Sequence, residues 1–285
     1  MRPTIFEIPL GGGRVLPLHS YGLMIAVGFL FAVWIARVEF RRRRLPDVAN
    51  DLGVCTLLCG LFGARLFYYV QFYSQRFAGE SFLEFFKIWR GGLVFYGGAV
   101  GGIVGGTLYA RWKKLPLLDC LDVVGVGAPV AMAFGRLGCF LNGCCYGALC
   151  DPSSPFAVTF PPGSLAQSQQ WERGLLPSAS SPALPLHPAQ LYQAAHDFLL
   201  FGLILWYVRR PRSVRGAALP LAVFLYGVGR FAIECFRGDH VLTATGLTVS
   251  QNVAVGSAAV ALALIAAFYL RGGRGSSAGV SAARS

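Results

Sequence analysis

Charged residues are what this 285-residue chain has least of: Asp, Glu, Lys and Arg make up 13% of it, against 55% apolar residues. Soluble domains carry about a quarter charged residues, so the chain lacks the charge to coat a water-soluble globule. Acidic groups are scarcer still, 13 against 25 basic ones, for a formal net charge of +12. Spread over a surface, that excess would point to nucleic acid. It stands instead in short clusters at the ends of apolar runs, the orientation signal of membrane proteins, so the expected partner is the lipid bilayer and not nucleic acid. None of the usual nucleotide or metal motifs occurs, and no cofactor is expected. Residues 1–17 lack a basic segment followed by an apolar one, so the first span is read as its own insertion signal. No internal repeat is visible, which argues against a transporter built from inverted halves.

What the chain does have is a succession of apolar runs near the length that spans a bilayer. Spans are expected at residues 18–36, at 52–72, from the glycine pairs at 91–98 to about 110, at 117–134, at 187–208, at 217–236 and at 248–270. Basic clusters follow the odd-numbered spans: Arg41 to Arg44, Arg111 to Lys114, Arg209 to Arg215 and Arg271 to Arg274. The expected fold is therefore an all-α polytopic membrane protein of seven transmembrane helices, with the N-terminus outside and the C-terminus cytoplasmic. Residues 1–271 form one membrane domain with an external Pro/Ser-rich loop at 148–186, and 272–285 a flexible cytoplasmic tail. Residues 74–90 alternate aromatic and charged groups and suit an amphipathic element in the outer interface.

The most informative stretch is Gly135-Arg136-Leu137-Gly138-Cys139-Phe140-Leu141-Asn142-Gly143-Cys144-Cys145-Tyr146-Gly147, at the outer end of the fourth span. An arginine and irregular backbone at membrane depth fit the lining of an internal site. The alternative is an interfacial Arg reaching headgroups, beside glycines that serve helix packing. Tyr21, Arg65, Tyr96, His187, Gln190, Tyr192, Arg230 and Glu234 are carried to the same depth by other spans. Arg65, Arg136 and Arg230 against Glu234 leave surplus positive charge, which the planar fork of a guanidinium offers well to phosphate. Arg230 and Glu234 stand at i and i+4, so a plain intramembrane pair would also explain both. His187 serves equally as a base or as a helix start before Pro188, and Tyr21 and Tyr192 equally as interface anchors.

Of the eight cysteines, Cys55, Cys59, Cys120 and Cys235 read as small hydrophobes. Cys139, Cys144, Cys145 and Cys150 cluster, but C-x4-C-C-x4-C is not the C-x2-C spacing of a common structural zinc site. No metal is expected. A structural disulfide from Cys150 to Cys144 or Cys145 is left open.

The ordered blocks His19-Ser20-Tyr21-Gly22, Gly63-Ala64-Arg65, Gly91-Gly92 through Gly97-Gly98, Gly135 through Gly147, His187-Pro188-Ala189-Gln190-Leu191-Tyr192, Tyr226-Gly227 with Arg230, Glu234 and Arg237, and Ser250-Gln251 carry a resemblance. From residue 18 to 262 the chain resembles the prolipoprotein diacylglyceryl transferase family. The resemblance implies transfer of the diacylglyceryl group of phosphatidylglycerol to the lipobox cysteine of prolipoprotein signal peptides, forming a thioether, the first step of bacterial lipoprotein maturation. It implies a multi-pass protein of the bacterial cytoplasmic (inner) membrane. Joined to the residues read above, it makes Tyr21, Arg136, Arg230 and Glu234 the candidate catalytic groups. Arg65, Tyr96, Gly97, Gly98, Asn142, Gly147, His187, Gln190 and Tyr192 are the candidate substrate contacts. The chain departs from the family's usual G-R-I-G-N-F-I-N-G-E-x-x-G, with Cys139 for Asn and Cys144 for Glu, and from its usual H-G-G, with Tyr96 for His. The alternatives are a phospholipid or anion transporter with a cationic outer cavity, and a membrane thiol-redox protein, which would need an absent C-x-x-C.

Overall fold

The structure is a computed structural model that describes residues 4–11, 14–87, 91–238 and 242–282, and of 4–18, 95–96 and 271–282 the backbone alone. The chain forms two compact units, Ala36–Cys120 on one hand and Met1–Ile35 with Leu121–Ser285 on the other.

The Ala36–Cys120 unit is built on two helices, α2 (Ala49–Gln71) and α3 (Phe95–Trp112). Glycine lets their backbones touch: a Cβ on Gly63 would stand 2.4 Å from the Gly97 carbonyl oxygen, and one on Gly101 2.3 Å from that of Cys59. This is the close packing expected of the glycine pairs. Gly91 and Gly92 take φ of +80° and +78°, and the backbone at 91–94 is non-helical up to Phe95, where α3 begins. The stretch at 74–90, described as far as Lys87, begins with two short turns. A π-helical turn, Tyr73–Phe77, and a 3-10 turn, Phe82–Phe86, gather Tyr69, Phe77, Phe82 and Phe85 into an aromatic cluster. At the other end the basic residues find acids: Arg43 meets Asp119 at 2.7 Å, and Arg41 meets Asp47 at 3.0 Å.

A two-stranded sheet leads the second unit. Strands β1 (Thr4–Gly11) and β2 (Arg14–His19) pair antiparallel, with Ile8 opposite Leu16 and Glu7 opposite Pro17. Pro9 and Pro17 fit because each strand of a two-stranded sheet keeps one edge unpaired. The named elements outside this pair of strands are helical, in line with the expected helical membrane protein.

The remaining helices are α1 (Ser20–Arg42), α4 (Leu117–Asn142), α5 (Leu165–Glu172), α6 (Ala189–Arg209), α7 (Ala218–Glu234) and α8 (Val249–Ala282). Ile35, Val126, Leu200, Ile204, Val208, Ala218 and Ala222 bring α1, α4, α6 and α7 together in one apolar core. Backbone helix in α8 continues through most of the residues read as a tail. Among the described residues, five helices are long and apolar enough to cross a membrane: α1, α2, α4, α6 and the Val249–Leu270 part of α8. The outward faces are apolar, with Leu30 66%, Val70 68% and Val260 61% exposed, a surface suited to lipid and not to water. The chain is a polytopic membrane protein; α3 and α7, at 18 and 17 residues, are the shorter long helices.

The loop at 148–186 has its own small core of Phe160, Ala166, Ala183 and Leu186, with Tyr146 and Phe140 packed on it. Ser164 caps α5 by accepting from the Gln167 amide at 3.2 Å. Buried Gln170 accepts from the Leu184 amide at 2.6 Å, fastening the loop's return limb.

Candidate active site

The helix that carries Arg136 runs on through Asn142, so the irregular backbone expected from Gly135 onward begins only at Gly143. Gly143 and Cys145 take φ of +72° and +59°. The reversal folds the chain back onto the helix end and brings Cys144 and Cys145 to Cys139, with the three Sγ atoms all within 4.8 Å of one another. Cys150 is not a member: it is buried, with its amide on the Pro185 carbonyl. All eight cysteines are free thiols, so the disulfide left open by the sequence is not formed. Hydrogen bonds from the Cys139 and Cys144 thiols hold Cys145, beyond the helix end, well below the ordinary thiol range, with Arg136 and Arg237 adding to the effect.

Around this turn several expected groups converge. Arg136 hydrogen-bonds the Tyr226 hydroxyl of α7. Tyr21 stands beside Arg136 and the three thiols, its ring seated on Gly138, where a Cβ would come within 3.1 Å of it. Arg230 pairs with Glu234 at 2.7 Å and donates to the Ser250 hydroxyl at 3.2 Å. Glu234, 5% exposed, also accepts from Thr248 at 3.0 Å and has the Arg237 guanidinium 4.0 Å away. Arg230 and Arg237 thus flank the Glu234 carboxylate, and Arg136 lies near Arg230. The local pair between Arg230 and Glu234 exists, and among the described residues three guanidiniums gather beside that carboxylate.

Other candidates position the turn. Gln190, 1% exposed, donates to the Cys144 carbonyl at 2.7 Å, and Asn142 bonds the Cys144 thiol. The Gly147 amide donates to the His187 carbonyl at 2.9 Å. A Cβ at Gly147 would stand 2.6 Å from the Phe236 carbonyl oxygen and 2.7 Å from that of His187, so only glycine fits. His187 Nδ1 is 3.1 Å from the Tyr192 hydroxyl, and both rings pack on Phe236. Beside the turn lies a cavity of about 680 Å³ whose lining includes Cys144, Cys145, Gly147, Arg173 and Arg237.

Arg65, Tyr96, Gly97 and Gly98 fall in the Ala36–Cys120 unit, and the Tyr96 side chain lies outside the described residues. Arg65 corrects an expectation. Its five N–H donors all meet backbone carbonyls: Phe85, Gly91 and Glu84 at 2.7 Å, Gly92 at 3.1 Å and Lys87 at 3.4 Å. It is 4% exposed and has no donor left for a phosphate. It clamps the aromatic turn instead. Gly97 likewise serves the α2–α3 contact.

Sequence reasoning passed over one further cluster. His196 Nδ1 lies 3.0 Å from Asp197, a fully buried carboxylate that also accepts from Gln193 at 2.8 Å. The His196 ring faces that of Tyr226, centroids 6.3 Å apart, and fills the space left by Gly229. An ionisable pair inside a span was the available signal.

Residues 6–267 match the family model for prolipoprotein diacylglyceryl transferase. A Paraburkholderia phymatum protein named phosphatidylglycerol–prolipoprotein diacylglyceryl transferase is 35% identical, over 93% of this chain and 95% of its own length. Proteins of the same name from Clostridium tetani and Ralstonia pickettii are each 32% identical, over 90% and 91% of this chain and 93% and 92% of their own.

Proposed function

The chain belongs to the prolipoprotein diacylglyceryl transferase family, and we propose that it moves the diacylglyceryl group of phosphatidylglycerol onto the lipobox cysteine thiol of a prolipoprotein signal peptide. The observation that carries this is the gathering of Arg136, Arg230 and Arg237, with Arg230 and Arg237 on the Glu234 carboxylate and Arg136 beside Arg230. The thiolate sulfur attacks an sp³ glycerol carbon, the carbon–oxygen bond to phosphate breaks, and glycerol 1-phosphate leaves with the electron pair. Charge grows on the departing phosphate, and guanidiniums already oriented by Tyr226, Glu234 and Ser250 stabilise it without reorganising. Tyr21 and Asn142 border the reacting groups. Gly147, Gln190, His187 and Tyr192 hold the turn that forms one wall of the peptide's way in.

The seven helices of 17 residues or more, with basic clusters at the ends of α1, α3 and α6 and just past the apolar Val249–Leu270 part of α8, support a seven-span topology with the N-terminus outside and this site toward the outer face. The matching location is the bacterial cytoplasmic membrane, where both phospholipid and signal peptide are at hand. Residues 1–271 act as one membrane domain, with the 148–186 loop outside.

Purified protein given phosphatidylglycerol and a lipobox peptide tests the proposal. A peptide mass increase of one diacylglyceryl group, absent from a peptide with Ser at the lipobox cysteine, is the expected result. No mass change in lipid-reconstituted, correctly folded protein would remove it.

A further inference from the structure

Three thiols that the transfer reaction does not call on stand together at the wall of the cavity. Cys139 lies in the last turn of the helix, the Gly143 reversal returns the chain, and the unusual positive φ of Cys145 turns a third thiol to the other two, all Sγ within 4.8 Å. Sulfurs bound tetrahedrally to one zinc-sized ion stand roughly 3.8 Å apart, so small side-chain rotations close the trio on a common centre. The donor set is all thiolate, which selects soft d¹⁰ cations. Arg136 and Arg237 lie close enough to offset the negative charge of such a centre. Cys139 is buried, whereas Cys144 and Cys145 line the 680 Å³ cavity, so the direction left uncoordinated faces the open space. Gln190 fixes the Cys144 carbonyl and Tyr21 sits beside all three sulfurs, so the turn is held from two helices.

We propose that Cys139, Cys144 and Cys145 form a three-thiolate site for a soft d¹⁰ cation of the Zn²⁺ class, and that its open fourth position takes the lipobox thiol of the client peptide. The proposal rests on the transferase function above and names how that reaction obtains its nucleophile. A thiol entering the fourth position loses its proton to solvent on coordination, even at neutral pH. Its sulfur then gives an electron pair to the glycerol carbon as the carbon–oxygen bond breaks, and the phosphate ester leaves against Arg136 and Arg230. The product thioether is neutral and a weak ligand, so it departs and leaves the ion unchanged. Nothing is oxidised or reduced.

The test uses the full chain in lipid nanodiscs, reduced and stripped of metal, with Cd²⁺ as the spectroscopic probe. One Cd²⁺ per chain with a thiolate charge-transfer band is expected, unchanged in C55S/C59S and lost in C139S/C144S/C145S. Should the triple variant fail to fold, C145S alone, altered at an exposed residue, should weaken Cd²⁺ binding by roughly tenfold or more. Adding a lipobox peptide should raise the band by about a third, as three sulfurs become four, and a Ser-for-Cys peptide should not. Chelated protein should transfer lipid at least about tenfold more slowly, with Zn²⁺ restoring the rate. A disulfide within the trio in protein isolated without reductant, Cd²⁺ binding that survives the triple change, or no stoichiometric binding overturns the site. Full-rate transfer by chelated protein overturns its role and leaves the transferase standing. Absence of transfer from both metal-loaded and chelated protein removes the transferase function itself, and this inference with it.

Discussion

Neutralising Glu234 should damage the protein through its neighbours and reveal what the cluster is built to hold. Glu234→Gln keeps the side chain's size and removes the carboxylate that pairs with Arg230 and lies 4.0 Å from Arg237. The Glu234 and Arg230 side chains are 7% and 14% exposed and meet at 2.7 Å, so Arg230 would be left mostly out of water without a counter-charge. Breaking such a pair from one side costs about 3–5 kcal/mol. Arg230 keeps its bond to Ser250, and some exposure remains, so the lower end applies: about 3 kcal/mol, a hundredfold or more in the folding equilibrium. An anionic headgroup can take the carboxylate's place, and a ligand that binds only the folded state restores stability by mass action. Thermal unfolding in nanodiscs therefore separates two cases. In zwitterionic lipid Glu234→Gln should melt far below the unaltered protein; with phosphatidylglycerol present the gap should narrow. An equal gap in the two lipids would refute a phosphate-binding role for the arginine cluster.

Arg136→Lys and Arg230→Lys should each lose most transfer activity while still inserting, because a point charge does not reproduce a bidentate fork; normal turnover in both would take the guanidiniums out of the mechanism. Gly147→Ala forces a methyl to 2.6 Å from the Phe236 carbonyl oxygen and should destabilise by about 1–3 kcal/mol, with turnover falling as the turn shifts; unchanged melting temperature and rate would contradict the close approach. Arg65→Gln should lower stability through the carbonyls it leaves unpaired, with little change in KM for phosphatidylglycerol among the molecules that stay folded; a large KM rise with unchanged melting would return Arg65 to the substrate site.

The membrane architecture was legible because its causes are one-dimensional. Apolar run length and the placement of arginines set where helices lie, and the expected spans at 52–72 and 187–208 fall close to Ala49–Gln71 and Ala189–Arg209. The terminal strand pair was missed because pairing depends on the register of two short strands, and Pro9 and Pro17 hid the alternation. Arg65 shows a second limit. The sequence counts charges at a given depth but does not reveal which ones the backbone has already satisfied, and Arg65 finds five carbonyls in a turn some twenty residues away. Arg230 and Glu234 were readable because their pairing is a helix-geometry rule.

The thiol trio shows a third limit, and its cause is specific. Spacing rules for metal sites assume that ligands come from a short loop or from fixed positions on one element. Here Cys139 comes from the last turn of a helix, and Cys144 and Cys145 from a reversal through Gly143 that points back at it, so five residues of separation collapse to neighbouring sulfurs. Gly143 was in plain view, and a glycine one residue past a helix end is the common sign of such a reversal. A reversal there makes the family's usual Asn and Glu positions, here Cys139 and Cys144, face each other. The chain thus carries a pair of facing thiols where the family's usual motif has an amide and a carboxylate, with a third thiol beside them. A thiol at only one of those two positions would leave a lone soft group there. Both together, with Cys145, bring three soft donors within reach of one centre, which is the ground for proposing one site at these positions.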